Sequence, residues 1–478
     1  MMALAKWFRS CILLFSCAFL ACGESSKPGL IGESPADDFG PQQDVGALRQ
    51  GLIEDPEYSR ILELLSREFV ENTDYEDVSV TLLVSAGEGR GWKLGQYQGD
   101  QLWYPASVAK LACLPGIFHR MDQVGADKFY ATFNEDLTSI FTNSDNFAFG
   151  RVVDQVTYTE NFDVDASPDS YPEWLRRRTY FNRALDHYGL LEGQRVLMKT
   201  YPTNSGDLPL LAEEKVFKEI GGNRLTTNDA ALLLRDLAEG SILPSHTSEI
   251  QALLRSSRNS ASSIVGHDLP PGLEYYGKVG YGVGRIGDVC YIPNPDGSKV
   301  VIACFGYYDD NTPGIDPLLT RQATMGVLTE AVLDRLSLYP VANKVMAKAS
   351  DDQNVQRTGT WTLMPGNDLF PTFFKPANAS RATIEFHMLV PETGKYQISY
   401  AYAPLRKGIP FASCKVMQQN TPILDKPVDL TGYGNHWYHI GQYFFQKGTL
   451  TVVFEDKLQV EDGLIGISAV KIVPVLED

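Results

Sequence analysis

The spacing of apolar residues changes character once along this 478-residue chain, near residue 340, and the two patterns cannot share one architecture. Before that point Ile61, Leu64, Leu65 and Phe69 recur at helical spacing, and further helical stretches are expected near 107–121, 135–141, 148–156, 227–237, 249–255 and 318–336. Strand-like runs lie at 78–84, 91–97, 275–279, 288–292 and 299–305. A helix and two strands, a helical block, then three strands and a helix predict one α+β domain, with an antiparallel sheet assembled from both ends of the segment. Beyond residue 340 helix signals vanish. Ile384, Phe386 and Met388 alternate with Glu385 and His387; Tyr396, Ile398, Tyr400 and Tyr402 repeat the pattern, as do Leu450, Val452 and Phe454. Turn signals such as Pro391-Glu392-Thr393-Gly394 separate these runs, which predicts an all-β sandwich.

The expected organisation is a leader at 1–21, a tether at 22–50, the α+β domain at 51–339, a polar linker at 340–357 and the sandwich at 358–478. The tether is rich in Ser, Pro, Gly, Asp and Gln, and a coil of its length reaches roughly 30 Å. A hydrophobic fraction of 44% with 21% charged residues is that of a globular protein. The net charge of −17 argues against a nucleic-acid partner and against adsorption of the folded surface to anionic lipid.

At the N-terminus, Lys6 and Arg9 precede an apolar run, 11–20, that is too short to span a bilayer comfortably. It ends Phe19-Leu20-Ala21-Cys22-Gly23, which resembles the lipobox of bacterial lipoproteins, with Phe19 where leucine is preferred. That resemblance implies lipidation of Cys22 and a chain anchored in the bacterial envelope, facing the periplasm. Gly23, in place of the aspartate that retains some lipoproteins at the inner membrane, points to the outer one. An ordinary secretory signal cleaved after Ala21 would export the chain without an anchor.

Of seven cysteines, Cys113, Cys290, Cys304 and Cys414 remain beyond the leader and Cys22. None has CxxC or Cys/His spacing, so no metal site is called for. Cys290 and Cys304 flank a turn at 293–298 and could face one another, or could be two small buried hydrophobes.

Ser107-Val108-Ala109-Lys110 is an S-x-x-K tetrapeptide at the start of an expected helix. Residues i and i+3 share a helix face, so the amine can sit beside the hydroxyl and take its proton, while free N–H groups at the helix start favour developing negative charge. Chance supplies roughly one or two such tetrapeptides in a chain this long. Ser468-Ala469-Val470-Lys471 is one, but it lies in a strand pattern, where residues three apart point to opposite faces.

Ser144-Asp145-Asn146 and Lys278-Val279-Gly280 follow Ser107 in order, and the three motifs together resemble class A β-lactamases and penicillin-binding proteins over about 55–335. The resemblance implies Ser107 as nucleophile, Lys110 as base or proton relay and Ser144 as the group that passes a proton to the leaving nitrogen. It further implies Asn146 and Lys278 as substrate contacts, the backbone N–H groups of Ser107 and Tyr281 as an oxyanion hole, Gly280 beside them, and no cofactor. Ser144-Asp145-Asn146 could also be a helix cap. There are departures. Val279 stands where the family has Thr or Ser, extra sequence lies in 158–178, and no E-x-x-L-N segment supplies a water-activating glutamate. Glu213 and Glu214 occupy the right stretch without the motif. Acylation is expected, and fast deacylation is not.

In the sandwich, Pro391, Gly394, Tyr396, Trp437, Gly441, Tyr443, Phe445 and Gly448 look like the golvesin/Xly-type domain, with Ser468-Ala469-Val470 for its late D-A-V segment. This implies a binding module for glycan or another wall ligand. Trp437 could stack on a sugar ring or be buried, and His436 and His439 flank it. The functional expectation is β-lactam hydrolysis through an acyl-enzyme. The alternatives are a D,D-peptidase or esterase acting on peptidoglycan, and a non-catalytic sensor of muropeptides or β-lactams.

Overall fold

The structure, a computed structural model, describes residue 39 and residues 51–85, 91–189, 211–256, 264–282, 284–308, 317–341, 343–359, 361–364, 372–374, 382–402, 412–430, 436–455 and 466–476. The leader, Cys22 and nearly all of the tether lie outside these residues.

The first region begins with β1 (Leu52–Glu54), α1 (Pro56–Asn72), β2 (Tyr75–Ser85) and β3 (Trp92–Tyr97). Asp55 starts α1 by accepting hydrogen bonds from the Glu57 and Tyr58 amides. There follow α2 (Ala109–Val124), α3 (Ala126–Thr142), α4 (Asn146–Thr157), α5 (Tyr171–Arg178), α6 (Tyr180–His187), α7 (Leu211–Ile220), α8 (Thr227–Ala238) and α9 (Thr247–Ser256). Then come β4 (Tyr276–Gly282), β5 (Arg285–Pro293), β6 (Lys299–Tyr308) and α10 (Pro317–Arg335). The six strands form one sheet in the order β1-β3-β2-β6-β5-β4. Every pairing is antiparallel except β1 with β3, which is parallel. The expected sheet thus gains a strand whose three residues are too short to carry a period.

The sheet is covered on both faces, which is why its strands read as nearly continuous apolar runs. On β2, Val78, Val80, Leu82 and Val84 pack with Leu62 and Phe69 of α1 and Met325 and Leu328 of α10. Leu83 faces the helical block instead. On that second face Ser79 and Thr81 are buried polar residues, satisfied by hydrogen bonds to Thr227 and Asn228 of α8.

The second region has a five-stranded sheet, β14-β13-β16-β11-β8, facing a four-stranded one, β15-β12-β17-β7. Its strands include β7 (Val345–Lys348), β8 (Val355–Thr358), β11 (Thr383–Val390), β12 (Gly394–Tyr402) and β13 (Ala412–Gln418). The others are β14 (Thr421–Val428), β15 (Trp437–Phe445), β16 (Gly448–Glu455) and β17 (Ile467–Pro474), with a small β9–β10 pair at Thr362–Met364 and Thr372–Phe374. Ile384, Phe386, Ile398, Val452, Phe454, Val470 and Ile472 fill the space between the sheets. Residues 345–348 and 355–358, read from sequence as part of a polar linker, are strands at the edges of the two sheets. Each buries only one side chain, Ala347 and Val355, so no alternation was there to read.

Cys113, Cys290, Cys304 and Cys414 are buried free thiols. Across β5 and β6, Cys290 is opposite Ile302 and Cys304 opposite Asp288, so the two cysteines behave as small core hydrophobes.

Candidate active site

Ser107 sits one step earlier in the fold than the sequence suggests, in a short 3-10 turn, Ala106–Val108, that leads into α2. With three residues per 3-10 turn, positions 107 and 110 are aligned along the axis, and the serine still faces the lysine. Lys110 is fully buried. Its Nζ lies 3.2 Å from Ser107 Oγ, 3.3 Å from Ser144 Oγ, 2.6 Å from the Ser144 carbonyl oxygen and 2.7 Å from Asn146 Oδ1. One amine therefore touches both candidate proton-carrying hydroxyls.

The segment 144–146 divides its work among three side chains. Asp145 caps α4, its Oδ1 accepting from the amides of Phe147 and Ala148 at 2.8 and 3.1 Å. Ser144, just before the cap, has φ 55°, a left-handed conformation that costs a residue with a Cβ of order 1–3 kcal/mol. Ala106, just before Ser107, has φ 47°. Strained backbone thus precedes the helix start on both sides of Lys110. Capping and site geometry are compatible uses of one tripeptide.

Lys278, on β4, reaches the same Ser144 hydroxyl. Its Nζ donates to Ser144 Oγ at 3.0 Å and to the Val279 carbonyl at 2.8 Å. Burial pushes this ammonium down to about 8, against the opposing attraction of Asp288. If the protonated form serves the reaction, acylation should slow as pH rises through about 8, where Lys278 loses the proton that it donates. A rate profile from pH 6 to 10 checks this, and Lys278→Arg, which stays charged, should remove the limb.

Gly280 is where the sheet meets the Ser107 turn. A Cβ there would lie 2.7 Å from the Pro105 oxygen, from the Ser107 nitrogen and from the Val108 nitrogen, all of them backbone. Gly280→Ala is therefore expected to push the turn away, lowering acylation about 100-fold with the fold intact, as read by stopped-flow labelling alongside circular dichroism. Tyr281, next along β4, is exposed. Tyr104 lies nearby, within 3.6 Å of where a Gly222 Cβ would be and 3.4 Å of a Gly282 one.

The extra segment 158–178 ends in α5, whose Arg178 is fully buried and ion-paired to Asp154 and to the equally buried Glu213. Arg178 also donates to Thr159 Oγ1 at 2.9 Å and lies over the Trp174 ring. Glu213 thus meets a guanidinium, while Glu214 pairs with Lys218 at the surface. Nothing in the local sequence of either glutamate marks Arg178 as the partner.

The Ser468 tetrapeptide is not a site of this kind. Lys471 ion-pairs with Glu330 and Asp268, and its Nζ lies over the Trp437 ring. Trp437 is itself buried, packed with Ala401 and Ala469 against Val327 of α10.

Two family models match this chain: the beta-lactamase enzyme family over residues 127–336 and the Golvesin C-terminal domain over residues 345–474. The chain joins a beta-lactamase-family region to a Golvesin C-terminal domain. The matched part of the beta-lactamase-family region takes in Ser144, Asn146 and Lys278 and begins after Ser107 and Lys110. Golvesin of Dictyostelium discoideum is 23% identical over 313 residues, 64% of this chain and 53% of that protein, so the chain spans about half the length of that relative. Among solved structures, a β-lactamase from Sphaerobacter thermophilus is 20% identical, with 59% of this chain and 98% of that one covered and a TM-score of 0.38. PBP-A is 17% identical, with 62% and 98% covered and a TM-score of 0.40.

Proposed function

We propose that the beta-lactamase-family region is a serine hydrolase that takes an acyl group onto Ser107 from β-lactams or related amides and esters and passes it to water. The observation that carries this reading is the placement of Lys110 Nζ within 3.3 Å of both Ser107 Oγ and Ser144 Oγ, with Lys278 Nζ 3.0 Å from Ser144 Oγ. In this reading neutral Lys110 takes the Ser107 proton as Oγ bonds to the carbonyl carbon. The oxyanion is met by the N–H groups of Ser107 and Tyr281. Ser144 Oγ gives its proton to the leaving nitrogen as the C–N bond breaks, and is reprotonated from the lysines beside it. Asn146 holds Lys110 in place. Water then cleaves the ester at Ser107 and restores the hydroxyl.

A second reading, a penicillin-binding D,D-peptidase or esterase acting on peptidoglycan, is favoured by one observation. Glu213, in the stretch where a water-activating carboxylate would be sought, is paired to Arg178, and that makes a poor general base. Fluorescent penicillin and a chromogenic cephalosporin, tested on the purified chain, separate the readings. Rapid colour release supports the hydrolase, and a label lasting for hours supports the peptidase. Neither signal would leave an esterase or a non-catalytic sensor. For the location we infer export and lipidation at Cys22, with the peptidoglycan layer within reach. Palmitate incorporation that persists in Cys22→Ala would refute the anchor.

A further inference from the structure

The two regions meet at a side-chain cluster that the proposed reaction does not use. His267 and Asp268 end a short turn, Val265–His267, that packs beneath the sheet of the beta-lactamase-family region, whereas His439 projects from β15 of the Golvesin domain. Their ligand-type atoms all lie within 4.8 Å of one another. We propose that these three residues form a divalent-cation site, of the kind that takes Zn²⁺, joining the two regions.

The geometry fits an ion better than it fits mutual hydrogen bonding. His267 Nδ1 is 3.2 Å from Asp268 Oδ1, yet among the described residues neither His267 Nδ1 nor Asp268 Oδ2 finds a hydrogen-bond partner, and the Asp268 side chain is 1% exposed. The two imidazoles lie with ring centroids 5.0 Å apart. Two imidazoles on one tetrahedral ion, with Zn–N bonds of ~2.1 Å, have centroids about 5 Å apart. The second histidine is already held from behind by Ser399 Oγ, 2.8 Å from its Nδ1 and able to accept the Nδ1 proton. That leaves Nε2 for the ion and supplies the outer support that metal-binding histidines use.

Charge permits it. Lys471 lies 3.3 Å from Asp268 Oδ1 but is drawn closer to Glu330, at 2.7 Å, and Lys344 bridges Glu330 and Asp334. Three carboxylates thus share two ammonium groups, an excess of one negative charge in a part-buried setting. Two imidazoles and one carboxylate suit a borderline ion, and three protein ligands leave a fourth position for water at the exposed His439 edge.

The test is a Zn²⁺ titration of the metal-stripped full chain, read by calorimetry and by thermal unfolding. One Zn²⁺ per chain is expected, with a rise in Tm of about 5 °C at 100-fold excess over Kd that EDTA reverses. His439→Gln and His267→Gln should each weaken binding at least ~10-fold while melting, metal-free, where the metal-free parent melts. Should a variant misfold, Co²⁺ in the unaltered chain reports the site by four-coordinate visible absorbance that Zn²⁺ removes. Absence of stoichiometric binding, or unchanged affinity in His439→Gln, overturns the proposal.

Discussion

Ser107→Ala is expected to abolish covalent labelling by penicillin, lowering the acylation rate at least about 10⁴-fold, while stability stays within about 0.5 kcal/mol. The size follows from chemistry: without Oγ there is no bond for the acyl group to form, and the remaining groups only position the substrate. Lys110→Ala should retain the nucleophile and lose its proton acceptor, a smaller deficit of about 10²–10⁴-fold. Single-turnover labelling of both variants separates the roles, and equal rates in Ser107→Ala and the parent would remove the nucleophile from the account.

The second large effect is on stability. Arg178→Met should cost about 3–5 kcal/mol in urea unfolding, because Glu213 would remain fully buried with its charge uncompensated. Asp154 adds to this, since burial already pushes its carboxyl upward and Arg178 is what opposes the shift. The double variant Arg178→Met with Glu213→Gln should recover part of the loss, as Glu213 then leaves no buried charge and only Asp154 lacks its partner. A single variant as stable as the parent would show that the pair contributes little.

These two cases mark what the sequence can and cannot disclose. Ser107, Lys110, Ser144, Asn146, Lys278 and Gly280 were legible because each sits in a short motif whose order along the chain repeats a known pattern. The structure places Ser107, Ser144 and Asn146 against Lys110, Lys278 against Ser144 and Gly280 against the Ser107 turn. Local spacing also distinguished the second tetrapeptide, since Ser468 and Lys471 lie on a strand. Arg178 and Glu213 were not legible, because pairing α5 with α7 depends on tertiary packing and not on any period. The same holds for Lys471 and Asp268, which are 203 positions apart and meet only where the two regions pack. Trp437 shows a related limit: its alternating pattern announces burial in a sandwich, but not that the covering surface is a helix of the other region. Short elements such as β1, β7 and β8 escaped because three or four residues cannot display alternation.

Acylation at Ser107 is tested by peptide mapping with mass spectrometry after brief exposure of the full chain to penicillin. A single acyl adduct is expected on the peptide containing Ser107, formed at one equivalent per chain and reduced at least ~10-fold in Lys110→Ala. An adduct on any other residue, or an intact Ser107 peptide after prolonged exposure, would contradict it.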